Sequence, residues 1–344
     1  KPGRLTPGPF RFAELFAGIG GFRLALEALG GRCVFASELH PTARAVYQEN
    51  WPETEGGGFA GDIRVVPAEE VPEHELLTAG FPCQPFSALG EQRGLQESRG
   101  RLFLHICRVL RARRPAMALM ENVPGLLETD DGSALEAVLR EIRASGYRVA
   151  HRVYNSRHLL PQKRKRVYIV AIRWDLEAAC DAFRFPWLPE LGRTVAEILQ
   201  EPLAPEEADP LLLSESRWAK IRASRAFQEA PEDVIGPLDQ PAAPLVSTYG
   251  EGCGQFAKYT QLLPGAEGEL PRRFSCREAA RLQGFPESFA YSACGGPKAW
   301  YRVIGNAVSP PVACALAGAM LCALRRGEEG GGGAWRRGAG RAGG

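Results

Sequence analysis

The chain has 344 residues, 45% of them hydrophobic and 24% charged, with 42 Lys+Arg against 40 Asp+Glu and a formal net charge of +2. That balance excludes disorder for most of the chain and leaves any polyanion-binding surface to a local patch. No apolar run is expected to be long enough for a membrane span, and no signal segment opens the chain.

Residues 1–9, with Pro2, Gly3, Pro7, Gly8 and Pro9, read as a linker, and the missing initiator Met as the mark of an excised or processed chain. Short apolar runs then alternate with helical patterns. Strands are expected at Phe12–Phe16, Cys33–Ser37, Glu75–Ala79, Ala116–Met120, Tyr147–Tyr154 and Arg166–Ile172. Helices are expected at Phe22–Leu29, Thr42–Glu49 behind Pro41, Leu102–Arg111 and Ser133–Ala144 before Gly146. This alternation predicts an α/β fold with a doubly wound, mostly parallel sheet over 10–174, whose ligands sit at the carboxyl ends of the strands. From 175 to 271 prolines are dense and the alternation is lost, which predicts a smaller irregular domain. Residues 272–326 bring back helices: Ser275–Leu282, opened by the capping box Ser275-Cys276-Arg277-Glu278, and Pro311–Leu324, suited to packing on the sheet. Residues 327–344 read as a flexible Gly/Arg tail.

Nine cysteines lie scattered without C-x-x-C spacing, as in a reduced intracellular protein, and the five His do not cluster in ligand spacing, so no metal is expected. The chemistry is concentrated after the strands. Phe16-Ala17-Gly18-Ile19-Gly20-Gly21 forms a strand-to-helix turn that lets a ligand approach the backbone, but Arg23 stands where a dinucleotide fingerprint has its third glycine. Glu38 is placed for a ribose diol and Asp62 for an adenine amino group, so a nucleoside cofactor is favoured over a merely tight turn. Cys83, between Pro82 and Gln84-Pro85, sits in a strand-end loop rather than on an apolar helix face, which favours a nucleophile over a structural thiol. The Gly-containing stretch Ala88–Gly100 is either a closing lid or a surface loop. Glu121, between Met120 and Asn122-Val123, should hold a proton more readily than an ordinary carboxylate, unless it serves as a helix cap. In Pro161-Gln162-Lys163-Arg164-Lys165-Arg166 the alternation allows one arginine to point into the site and others toward phosphates.

These motifs, in this order, resemble the DNA cytosine-5 methyltransferase family from Phe12 to about Leu324. Further matches are Ser98-Arg99-Gly100-Arg101-Leu102-Phe103, Arg277-Glu278-x-x-Arg281-Leu282-Gln283-Gly284-Phe285-Pro286 and Gly305-Asn306-Ala307-Val308. The resemblance implies an S-adenosyl-L-methionine-dependent methyltransferase fold with a target-recognition domain. It implies a cofactor pocket of Phe16, Gly18, Gly20, Gly21, Glu38, Leu39, Asp62, Ile63, Leu102, Asn306 and Val308. It further implies Cys83 as the nucleophile on carbon 6 of a flipped-out cytosine, Glu121 at N3, Arg166 at O2 with Arg164 beside it, and Gln84, Ser87 and Gln162 on the substrate. Ala307 departs from the Ser of many members, a change that backbone contacts tolerate.

In the recognition region, Arg217, Lys220, Arg222 and Arg225 form a basic stretch, open to phosphates or simply a solvated helix face. Thr248 and Gln255, in the Gly-rich segment 247–255, are candidates for base contacts. The expected partner is double-stranded DNA, met by a monomer with no membrane role, in the nucleus of a eukaryote or the cytoplasm of a bacterium. A tRNA-methylating branch of the same family and a catalytically silent homologue remain as alternatives. Val246-Ser247-Thr248 lacks the Cys-Phe-Thr of the former, and the intact motifs speak against the latter.

Overall fold

The computed structural model describes residues 9–52, 58–82, 102–200, 211–250, 262–264 and 270–330. Among the described residues, seven strands form one sheet: β1 (Phe10–Leu15), β2 (Gly31–Ser37), β3 (Phe59–Ala60), β4 (Leu76–Gly80), β5 (Met117–Asn122), β6 (Tyr147–Asn155) and β7 (Lys165–Arg173). Their order is β3-β2-β1-β4-β5-β7-β6. The first five are parallel neighbours, and β7 is antiparallel to both β5 and β6. The crossover between β1 and β4 leaves the edge at their carboxyl ends open to a ligand.

The central strands β4, β5 and β7 read as nearly continuous apolar runs because both faces of the sheet are covered there, whereas the edge strand β6 is largely exposed. Alternate residues serve opposite cores: Phe12, Met117 and Leu119 face one cluster, while Ala13, Ala118 and Met120 face the other. The first core is closed by helices α1 (Gly21–Glu27) and, at the far end of the chain, Pro310–Gly330; the second by α3 (Leu102–Arg113) and α4 (Ser133–Ala144). In α4, Leu135, Val138, Leu139 and Ile142 recur at helical spacing and are buried together. Helix α2 (Pro41–Asn50) begins with Pro at its first turn and His40 as N-cap, whose Nδ1 accepts from the Ala43 amide at 3.4 Å.

Packing does not respect the expected boundary at 175. Helix α5 (Glu177–Ala182) and the following chain place Ala179 and Leu188 in the core that also holds β1 and β5. Beyond it lie α6 (Glu215–Arg222), short helical turns, and isolated bridges such as Leu212 with Arg272. Helices α7 (Cys276–Gln283) and α8 (Pro297–Gly305) share a third core with Val195, Ala242, Leu245 and Tyr249, and with Val46 of α2. The irregular region is therefore sewn into the molecule at both ends. Helix α7 keeps its expected capping box, and its Glu278, fully buried, also pairs with Arg272 at 2.7 Å. The last helix, α9 (Pro310–Gly330), packs on α1 and α5. The expectation that no stretch approaches membrane-spanning length and hydropathy is corrected here: Pro297–Gly327 does so by length and composition, with 67% of its most apolar window buried inside the fold.

Candidate active site

The parallel strands β1–β5 all end on one edge of the sheet, and β7, being antiparallel, begins there. Residues far apart in sequence therefore meet around a cavity of about 790 Å³. Phe16 and Gly18 follow β1, Glu38 and Leu39 follow β2, and Asp62 and Ile63 follow β3. Phe81 and Pro82 follow β4, Glu121 and Asn122 end β5, and Arg166 opens β7.

The glycine turn is shaped by left-handed backbone at alternate positions: Phe16 (φ 54°), Gly18 (φ 58°) and Gly20 (φ 87°). For Phe16 that conformation costs on the order of 1–2 kcal/mol, spent on turning the chain sharply at the pocket. The Glu38 carboxylate is fixed by two amides, accepting from Gly18 N at 2.8 Å and His40 N at 2.7 Å. It thus ties the glycine turn to the start of α2 and keeps lone pairs for a hydroxyl-bearing ligand. Leu39 is 59% exposed although it lines the cavity, an apolar surface suited to a flat ring. Asp62 is already engaged by Arg64, whose Nη2 lies 2.6 Å from its Oδ2 and whose hydrogen bonds hold its carboxyl below the usual range. An adenine amino group would share that carboxylate rather than own it.

At the other end of the cavity, Glu121 is 7% exposed, with Arg166 Nε 3.0 Å from its Oε1. The contact is an ion pair off the axis of a directed hydrogen bond, so Oε1 keeps an unused lone pair. Burial lifts the Glu121 carboxyl above its ordinary pKa, and Arg166 and Arg164 oppose the rise. Asn122 donates to Phe81 O at 3.0 Å and accepts from Val123 N at 2.8 Å. It thereby braces the end of β4, from which the chain runs through Pro82 into Cys83.

Several sequence-based expectations need correction. Arg164 does not face the cavity: it is 1% exposed, and its guanidinium donates to three backbone carbonyls. Gln162, expected on the substrate, is fully buried and serves as a brace, donating to Leu282 O and accepting from Leu245 N, both at 3.0 Å. Gly20, Gly21 and Val308 are not among the described residues that line this cavity. A Cβ on Gly20 would lie 2.2 Å from the Trp51 ring, and one on Gly21 would lie 2.4 Å from Val308 O. These glycines are required by packing.

Asn306 lines the cavity from the junction between α8 and α9. Arg302 and Val303, which also line it, belong to α8, a helix missing from the sequence reading. Gly296-Pro297 followed by Trp300, Tyr301, Val303 and Ile304 at helical spacing was the available signal. Arg217 and Arg222 lie on α6, with Arg222 stacked 5.6 Å over Trp218, and Thr248 lies half-buried in the turn 247–250. Neither segment lines the cavity. Cys83, Gln84, Ser87, the 88–100 stretch and Gln255 lie outside the described residues, as do 1–8 and 331–344. Among the described residues, no group of His, Cys, Asp and Glu has the arrangement of a metal site.

Such a cavity can hold a nucleoside-sized ligand against the glycine turn and present a second molecule to a buried carboxyl paired with an arginine. The family model for C-5 cytosine-specific DNA methylases matches residues 10–322. The chain is 35% identical over 320 residues to Type II methyltransferase M.NlaX of Neisseria lactamica, covering 92% of this chain and 97% of that protein. It is likewise 35% identical over 311 residues to Type II methyltransferase M.HhaI of Haemophilus parahaemolyticus, covering 87% and 90%. Among solved structures, the S. pombe Dnmt2 methyltransferase matches with a TM-score of 0.70 at 23% identity, over 92% of this chain and 99% of that one. That likeness concerns the fold.

Proposed function

The chain belongs to the C-5 cytosine-specific DNA methylase family and is an enzyme of the DNA (cytosine-5) methyltransferase class, and on that footing we propose how its residues divide the work. Duplex DNA is the substrate, S-adenosyl-L-methionine the methyl donor, and the enzyme acts as an intracellular monomer. Phe16, Gly18, Glu38, Leu39, Asp62, Ile63, Leu102 and Asn306 hold the donor. The residues present fit it: Glu38 is a fixed acceptor for a ribose, Leu39 an exposed apolar face, and Gly18 has no atom within 4 Å of where a Cβ would project. When bound there, the donor supplies a methyl group on a sulfonium, a carbon open to attack.

The chain's own residues prepare the other partner. Carbon 5 of cytosine is a poor nucleophile, so the Cys83 thiolate adds to carbon 6 and makes the ring electron-rich at carbon 5. Glu121 holds a proton against N3 as charge builds there, a task for which its raised pKa suits it. Arg166 pairs with Glu121 and contacts O2. After the methyl group is taken, loss of the carbon 5 proton to a base restores the double bond and expels the Cys83 thiolate. A thiol reaches carbon 6 only when the base has left the stack, so the nucleotide is flipped out. Gln84, Ser87, Arg217, Arg222, Thr248 and Gln255 are assigned to the opened DNA.

The observation that supports this division most is Glu121, buried, ion-paired and facing the same cavity as the glycine turn. Incubation with methyl-labelled donor and either duplex DNA or total tRNA tests the substrate. Label is expected in DNA as 5-methylcytosine; label confined to tRNA, or none on either, would overturn the reading.

A further inference from the structure

Between the cavity and the recognition segment lies one buried guanidinium that the chemistry above leaves unused. Arg164 divides its donors between two pieces of chain. Its Nη2 donates to Gly305 O and Ala307 O, both at 3.0 Å, the two carbonyls that flank the pocket residue Asn306. Its Nη1 donates to Leu245 O at 2.9 Å, two residues before the turn 247–250. The same two pieces touch directly: a Cβ on Gly305 would lie 2.4 Å from the Val246 carbonyl carbon. Tyr249 secures the turn from below, its ring 5.0 Å from that of Tyr301 on α8 and its hydroxyl accepting from Phe274 N at 2.9 Å. Lysine could not replace this clip, because one ammonium cannot reach three carbonyls in two directions, whereas a planar fork can.

We propose that Arg164 is a positioning residue that couples the two ligands: it locks the Asn306 wall and the turn 247–250 in one register, so that filling the pocket orders the turn and DNA seated on the turn tightens the pocket. Such coupling is reciprocal by thermodynamic necessity. The inference rests on the reading of the cavity as the donor's site and goes beyond it in assigning a route between donor and recognition segment.

Amide hydrogen exchange of the whole chain, with and without S-adenosylhomocysteine, tests it. Exchange across Val246–Gly250 is expected to slow by about fivefold or more, the lower end of typical couplings. In Arg164→Lys that protection is expected to vanish and S-adenosylhomocysteine affinity to fall about tenfold. The single-turnover rate at saturating donor and duplex should stay within about threefold, because no transition-state contact is lost. Should that variant fold poorly, the wild-type enzyme still tests the coupling: duplex DNA is expected to raise S-adenosylhomocysteine affinity about fivefold or more, and an affinity indifferent to duplex would overturn the proposal. A wild-type turn indifferent to the ligand would overturn the proposal. So would an Arg164→Lys enzyme with full affinity and a collapsed single-turnover rate, the signature of a group touching the base. Arg166→Lys, run beside it, examines the underlying assignment separately: it should lose turnover while keeping ligand affinity and turn protection. Undiminished methyl transfer there would strike the site assignment and leave the clip standing.

Discussion

The sheet edge and the irregular region from 189 to 274 are held in place by different physics. At the edge, the strand-borne lining residues stand at the end of a strand, within three residues after it, or at the start of β7, so their positions are inherited from two hydrophobic cores. The irregular region has a small cluster of its own, Leu213, Ile221, Val234 and Leu262, and otherwise borrows rigidity from α7, α8 and buried polar braces such as Gln162. Catalysis demands placement within fractions of an ångström, which a packed sheet supplies. The recognition role proposed for the irregular region demands a surface that can change without disturbing that placement, which suits a segment tied down at a few points.

Substitutions at the two regions should therefore differ in kind as well as in size. Glu121→Gln keeps the shape but removes the proton, and is expected to lower turnover by about 10²–10³-fold with donor affinity unchanged within about twofold. Equal loss of donor binding, read by calorimetry, would contradict its role at the base. In the wild-type enzyme, turnover limited by protonated Glu121 should be highest below its raised pKa and fall as pH rises through it, and a profile rising there would assign the proton elsewhere. Next in size, Gly20→Ala forces a side chain into the Trp51 ring at a backbone angle of +87°. A stability loss of about 2–4 kcal/mol is expected by denaturant melts, together with weaker donor binding. Full stability would mean that the ring yields freely.

Glu38→Ala removes the acceptor shared by Gly18 and His40 and should weaken donor binding by about 10–100-fold while leaving DNA affinity alone. Smallest is the pair Arg217→Ala and Arg222→Ala on α6. Each is expected to weaken DNA binding by less than about 1 kcal/mol, and together they should flatten the salt dependence by about two units of slope. An unchanged slope would mark that helix face as merely solvated.

The same contrast governs how much could be read without coordinates. Strands such as Tyr147–Tyr154 and helix Ser133–Ala144 are legible because hydrophobic period and flanking glycines are local signals. Placing Phe16, Gly18, Glu38, Asp62, Glu121 and Arg166 on one cavity needs only the rule that parallel sheets bind at their carboxyl edge, with β7 entering from the opposite direction. Arg164 was not legible. Two residues before Arg166, it looks like a second site arginine, and only the approach of Leu245, Gly305 and Ala307, some 80 and 140 positions away, shows what it holds. The strand period alone puts residues 164 and 166 on the same side; the chain before Lys165 is not yet strand, so the alternation does not apply to it. Packing of Ala179 and Leu188 against the sheet core was hidden likewise, since prolines nearby announce irregular backbone and nothing about its neighbours.

One measurement addresses the thiol on which the proposed chemistry depends. Duplex DNA carrying 5-fluorocytosine in place of cytosine cannot release a fluorine as a cation, so an enzyme that has added through sulfur and delivered its methyl group stays attached. The wild-type chain with S-adenosyl-L-methionine should give a denaturant-resistant protein–DNA adduct, absent in a Cys83→Ala variant that still binds the donor. An adduct that persists in Cys83→Ala, or a wild-type enzyme that methylates ordinary cytosine yet never traps on the fluorinated duplex, would contradict covalent catalysis by Cys83.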